Sequence, residues 1–181
     1  MDIDLLIDEV IARESGFSDH PADRGGATRW GITESVARAH GYHGDMRLLP
    51  RGTAQTIYRA RYWDGPQFYR IAAHSEKIAA EIFDSGVNMG PGVAARFLQR
   101  ALNALNRNGK DYTDIDVDGR VGPNTEAALA AFLKARWAGG EPVLLKAIEA
   151  LQGERYVSLA EQRPANEAFL YGWIANRVGS F

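Results

Sequence analysis

Glu14 closes a run that otherwise reads as the buried face of a helix. Ile3, Leu6, Ile7, Val10, Ile11 and Glu14 step by three and four, the stripe of one amphipathic helix. The last position of such a stripe should be apolar. Here it is a carboxylic acid, followed at once by Ser15 and Gly16, which end the helix. A carboxyl in that place loses hydration and lies near the negative end of the helix dipole. Both effects disfavour the charged form and raise the pKa. A carboxyl that keeps its proton near neutral pH is what a general acid requires. A Glu at a frayed helix end, turned to water, satisfies the same periodicity, so the stripe alone leaves both readings open. The next segment places Asp19, Asp23, Thr28, Arg29 and Trp30 among glycines. Cleavage of a glycosidic bond uses two carboxyl groups: one protonates the leaving oxygen, the other activates water or stabilises the cation. Glu14 and Asp23 can serve if the loop folds back over the helix end, and the Thr28 hydroxyl can hold a water. Equally, Asp23 and Thr28 can be turn formers that bond nearby backbone.

The elements that must position these groups are mostly helical. The first helix spans about Ile3 to Glu14. Ser18 to Thr33 is polar and irregular, and Gly25, Gly26 and Gly31 allow a short hairpin there. Glu34 to His40 forms a short helix ended by Gly41. Thr53 caps a helix running to about Trp63, and Ser75 caps another whose inner face is Ile78, Ala79, Ile82, Phe83 and Val87. Gly90-Pro91-Gly92 breaks that helix, and Val93 to Leu105 make a strongly amphipathic one. Asn106 to Gly122 reads as a long loop. Asn124 or Thr125 starts a helix ending at Gly139-Gly140, Pro142 sits in the first turn of the next, and a last short helix carries Phe169, Leu170, Trp173 and Ile174.

Composition sets bounds. The 181 residues suit one domain or two small ones, and a net charge of −2 with 24% charged residues leaves no polybasic footprint for nucleic acid. Cysteine is absent, so disulfide and thiolate chemistry are excluded. The acidic start, MDIDLLIDEVIARE, is neither a signal peptide nor a membrane span. The chain is therefore expected to accumulate in the cytoplasm, without stable membrane insertion.

Glu14-Ser-Gly, followed by Pro21-Ala-Asp23-Arg-Gly25-Gly26-Ala-Thr28-Arg-Trp30-Gly31-Ile32-Thr33, resembles the signature of glycoside hydrolase family 108. These are phage and prophage N-acetylmuramidases, often called endolysins, with a lysozyme-like fold. Ile57-Tyr58-Arg-Ala-Arg-Tyr62-Trp63-Asp64 resembles the family's aromatic helix, and Phe83-Asp84-Ser-Gly-Val87-Asn88-Met-Gly90 its Phe-Asp-x-x-Val-Asn-x-Gly segment. The second half resembles the predicted peptidoglycan-binding region that accompanies the family. Its matches are Leu98-Gln99 with Ala101-Leu102-Asn103, Asp118-Gly119 with Gly122-Pro123 and Thr125, and Phe169 with Gly172-Trp173 and Arg177. The resemblance implies a mainly α, lysozyme-like fold, with residues 1–92 as the muramidase region and 93–181 as a helical peptidoglycan-binding region packed on it.

By the same resemblance, Glu14 matches the family's catalytic acid, and Asp23 and Thr28 match its Asp and Thr. Ser15 stands where the family commonly has glycine, and Thr28 lies one residue short of the spacing in the wider phage lysozyme group. Sugars present CH faces and hydroxyl edges, so aromatic rings suit them. Trp30, Tyr58, Tyr62 and Trp63 are the candidates for such surfaces, and Asn88 for a bond to a sugar amide; core packing is the alternative for the tyrosines and above all for Trp63, and helix capping for Asn88. Asp84, one turn earlier, can simply hold Asn88. Asp114, Asp116, Asp118 and Gly119 match the first half of an EF-hand loop, but its twelfth position is Thr125, so turn chemistry is the better account and no metal is expected.

The expected activity is hydrolysis of the β-1,4 bond between N-acetylmuramic acid and N-acetylglucosamine, without a cofactor, by a monomer that reaches the periplasmic wall after release as endolysins do. Two alternatives use the same residues: a lytic transglycosylase acting through the same Glu, and a non-catalytic wall-binding or secretion accessory protein.

Overall fold

The structure is a computed structural model that describes residues 2–13, 16–18 and 26–179. It is mainly α with one small sheet following the first helix, the lysozyme-like arrangement expected from the sequence. The chain divides into two compact units, Met1–Gly65 and Pro66–Phe181.

In the first unit, α1 (Ile3–Arg13) buries Ile7, Val10 and Ile11, the inner part of the predicted stripe. It packs on α3 (Arg51–Arg59), whose buried residues are Ala54, Ile57 and Tyr58. Three polar contacts fix the register of the pair: Arg59 with Asp4 at 2.8 Å, Arg51 with Asp8 at 2.9 Å, and Gln55 Nε2 donating to Asp8 Oδ1 at 2.5 Å. Exposed pairs of this kind contribute little energy, so burial holds the helices and the charges set their alignment. The helix α3 starts two residues before Thr53, because Pro50 ends the preceding extended segment and accepts from the Thr53 N–H at 3.0 Å. It then widens into a π turn over Ala60–Asp64, closed by Gly65 N donating to Ala60 O at 2.9 Å.

The expected hairpin is present. Strands β1 (Phe17–Ser18), β2 (Thr28–Arg29) and β3 (Ile32–Thr33) form an antiparallel sheet in that order, with Thr28 opposite Thr33 and Arg29 opposite Ile32. A two-residue turn, Trp30-Gly31, joins β2 to β3 with φ of 55° and 71°. Positive φ at both positions is the geometry that matches the twist of a tight hairpin. Thr33 then caps α2 (Glu34–Ala39), accepting from Val36 N at 3.4 Å.

In the second unit a short helix, α4 (Tyr69–Ala72), of a single turn and so without a periodic signal in the sequence, precedes α5 (Glu76–Met89). Ser75 caps α5 as predicted, accepting from Ile78 N at 3.1 Å. Gly90, at φ 94°, turns the chain and Pro91 opens α6 (Pro91–Ala104). The remaining helices are α7 (Pro123–Arg136), α8 (Gly140–Gln162) and α9 (Glu167–Arg177). Bonds from Ser75 to Glu141 and from Gln152 to Ser85 show that α5 and α8 run parallel and in register. Their interface is apolar around Ile78, Ile82, Leu144 and Ile148, and it also encloses Glu81, Ser85 and Gln152. None of the described helices is long and apolar enough to cross a membrane.

The long loop between α6 and α7 is held by side-chain amides. Gln99 and Asn103 lie on one face of α6, and Asn106 follows two residues after the helix ends. Gln99 accepts from Gly119 N and donates to Asp118, Asn103 exchanges both bonds with the Ile115 backbone, and Asn106 exchanges both with Tyr112. Asn106 is 0% exposed, so its loss leaves buried backbone groups unpaired. Asn106→Ala is expected to destabilise the protein by about 2–3 kcal/mol, read by urea unfolding, and to speed hydrogen exchange at the Tyr112 amide.

Candidate active site

Glu14 and Asp23, the two carboxyl groups on which the sequence argument rests, lie outside the described residues. The described elements on either side of them define the setting. Glu14 directly follows the last residue of α1, and Asp23 belongs to the connection between β1 and β2. Thr28 begins β2, half-buried, with its hydroxyl donating to Gly26 O at a long 3.4 Å.

Trp30 is fixed from three sides. Its indole Nε1 donates to Leu49 O at 3.0 Å, its backbone N–H to Gly16 O at 3.4 Å, and its own carbonyl accepts from the Tyr58 hydroxyl at 3.2 Å. These contacts hold a bulky residue at a positive φ that usually favours Gly or Asn. Tyr58 is only 2% exposed, which puts its ring beneath the hairpin. Tyr62, one turn on, is half-buried with its ring centroid 5.5 Å from that of Tyr58. Trp63 packs in the core, while Arg59 and Arg61 are engaged with Asp4 and the Tyr62 ring.

Sequence reasoning missed the basic and aromatic face of the hairpin. The Arg29 guanidinium lies 5.1 Å from the Trp30 ring and donates to Arg47 O, and the Arg47 guanidinium lies 5.3 Å from the Phe17 ring. Phe17 is 38% exposed. Rings for CH faces beside guanidinium donors suit a glycan that carries acidic peptides. Arg29 and Arg47 stand 18 residues apart, so only the fold reveals the pairing.

Asn88 belongs to the second unit. It is exposed in the last turn of α5, where its Nδ2 donates to the Asp84 carbonyl at 2.7 Å and to the Asp84 carboxylate at 3.1 Å. Asp84 also faces Arg177 of α9 at 3.5 Å, so it ties two helices. Asn88 is therefore not the cap of α5; Gly90 ends that helix. In the loop that resembles an EF-hand, Asp114 accepts from Asn106, and Asp118 from Gln99 and from the Arg120 N–H.

The hairpin clamp gives a modest prediction. Tyr58→Phe removes the donor to the Trp30 carbonyl and is expected to lower stability by about 0.5–1.5 kcal/mol, measured by thermal unfolding.

Residues 7–90, which contain α1, the hairpin and the aromatic helix, match the family Glycosyl hydrolase 108. These residues form a glycosyl hydrolase 108 region. Residues 93–178 match the Predicted Peptidoglycan domain, so a glycosyl hydrolase region and a peptidoglycan-domain region follow one another in one chain. It is a glycoside hydrolase that degrades peptidoglycan. The fold is similar to that of Brucella abortus SagA, with a TM-score of 0.67 and 22% identity over 94% of this chain and 86% of that one. No curated protein matches the chain.

Proposed function

We propose that this protein is an N-acetylmuramidase, cleaving the β-1,4 bond between N-acetylmuramic acid and N-acetylglucosamine. The observation that carries the reading is the family match over residues 7–90, which takes in the acid at the end of α1 together with the hairpin that follows. Glu14 donates the proton to the leaving oxygen. Asp23, with Thr28, positions water or stabilises the developing cation. Trp30 and Tyr62 offer ring faces to the sugars, Tyr58 holds the Trp30 turn, and Asn88 bonds a sugar amide. The steps on this chain need only carboxyl and hydroxyl groups.

The protein works as a monomer on glycan strands. Its net charge of −2 supports a wall substrate recognised by local contacts rather than a nucleic acid drawn in by long-range attraction. Its biological role is that of an endolysin: it accumulates in the cytoplasm and reaches the periplasmic wall when released.

Digestion of purified Gram-negative peptidoglycan, with mass spectrometry of the soluble products, tests the reading. Muropeptides ending in reducing N-acetylmuramic acid are expected. Anhydro ends would make the protein a lytic transglycosylase, and binding without release would make it a wall-binding accessory.

A further inference from the structure

The loop sewn to α6 by its amides forms one wall of a groove, and α7 forms the other. The groove encloses about 510 Å³ and is lined by Tyr112, Ile115, Asp116, Asn124, Ala127 and Ala131, among others. A second recess of about 210 Å³ shares Ile115, Asp116 and Asn124 with it. The larger space falls in the range of small-ligand sites.

The wall is pre-organised. Asn106 fixes the Tyr112 backbone, Asn103 fixes Ile115, and Gln99 fixes Gly119. The Tyr112 hydroxyl donates to Leu102 O at 2.6 Å. Burial, with the charges of Asp111 and Asp114 adding to it, pushes that phenol up to about 12, so it stays a donor and the ring stays in place. Asp114 and Asp118 are engaged with the amides. Asp116 and Asn124 are different: both line both recesses, both are exposed to solvent, and among the described residues neither side chain is tied up by a protein hydrogen bond, so both are available to a ligand in the groove.

We infer that this groove is a sugar subsite, in which Asp116 and Asn124 bind the hydroxyl and acetamido groups of an N-acetylated hexosamine over the apolar floor of Ala127 and Ala131. A carboxylate accepts from two hydroxyls, and an amide both donates and accepts, which is the pairing a sugar edge offers. The small floor residues leave room for a ring. The charge balance disfavours the carboxylates of a stem peptide: Asp114, Asp116 and Asp118 outnumber Arg120 along the two recesses, while a neutral sugar meets no such penalty. The inference rests on peptidoglycan as the partner of residues 93–178, and is independent of the chemistry assigned to Glu14.

Titration of the full-length, isotopically labelled protein with N-acetylglucosamine, followed by NMR, tests it. A monosaccharide contains no glycosidic bond, so the result does not depend on hydrolysis. The Asn124 side-chain amide and the Ala127 and Ala131 methyl groups are expected to shift with saturation. Asp116→Ala is expected to weaken the sugar roughly tenfold, the effect of one charge-assisted hydrogen bond. Ala127→Trp, at an exposed position of α7, fills the floor and is expected to abolish the shifts. Shifts confined to other surfaces, no effect of either variant, or the same resonances moving with a stem tripeptide and not with the sugar would overturn the assignment.

Discussion

Glu14→Gln is expected to lower the rate of peptidoglycan hydrolysis by roughly 10²–10⁴-fold while leaving the protein folded. The amide keeps the shape of the carboxyl and removes its transferable proton, so the loss falls on kcat and not on wall binding. A release assay on purified sacculi, paired with a pull-down on the same material, separates the two. Unaltered turnover would remove Glu14 from the mechanism. Loss of both turnover and binding, with the fold intact, would mean that the residue holds substrate and does not act as the acid. Asp23→Asn and Thr28→Ala then divide the second role. If Asp23 stabilises the cation or activates water, its variant loses more than that of Thr28, whose hydroxyl contributes a single neutral hydrogen bond.

The second large effect concerns stability and lies in the second unit. Glu81 is 0% exposed in the α5–α8 interface, with one oxygen accepting from the Ser85 hydroxyl at 3.1 Å and the other without a partner among the described residues. Burial raises its pKa from 4.5 to about 7; the Ser85 bond opposes this, while the nearby charges of Asp84 and Glu149 add to it. Folding then binds a proton that the unfolded chain has released. The resulting stabilisation is fully present below about pH 4.5 and is lost as pH rises towards 7, an expected fall of roughly 3 kcal/mol. Glu81→Gln is expected to flatten this slope, leaving the variant near wild type at pH 4.5 and more stable above pH 7. Asp111, Asp118 and Glu126 act in the opposite sense, since each is held below its ordinary range by a bonded partner, and their contributions are lost only in more acidic solution. Urea unfolding at a series of pH values reads the slope. Parallel curves for wild type and variant between pH 4.5 and 7 would show that Glu81 is not the group responsible.

The helical frame was legible because its signals are local. The stripe ending at Glu14 predicted the inner face of α1, Ser75 predicted the start of α5, and the Gly90-Pro91 pair predicted the sharp passage into α6. The hairpin was legible as a possibility from its glycines, yet its turn falls on Trp30-Gly31, and no local preference selects Trp for a positive φ. Tertiary contacts from Leu49 and Tyr58 override that preference. Thr53 looked like a cap and is not one, because Pro50 stops the extended chain first. The short α4 escaped notice because one turn of helix has too little periodicity to register.

The candidate site divides in the same way. Residue types and spacing singled out Glu14, Asp23 and Thr28, and the family match places all three within residues 7–90. Contacts between distant segments stayed hidden: the Arg29 and Arg47 face of the hairpin, and the placement of Tyr58 under the Trp30 turn. Gln99 and Asn103 stood out in the sequence only as parts of a motif, and Asn106 only as the start of a long loop. It took the fold to show that those amides serve the loop, and so that Asp116 is left facing a groove. In the acidic loop Asp114 accepts from Asn106 and Asp118 from Gln99 and the Arg120 N–H, while the Asp116 side chain is exposed.

Hydrolysis of peptidoglycan in ¹⁸O-labelled water is the most direct test of the central claim. A muramidase that delivers water to the broken bond must leave one labelled oxygen on C1 of each new N-acetylmuramic acid end, and mass spectrometry of the released muropeptides reads it. Label on every new muramic acid end is the predicted result. Unlabelled anhydro ends, or label carried by N-acetylglucosamine, would contradict it.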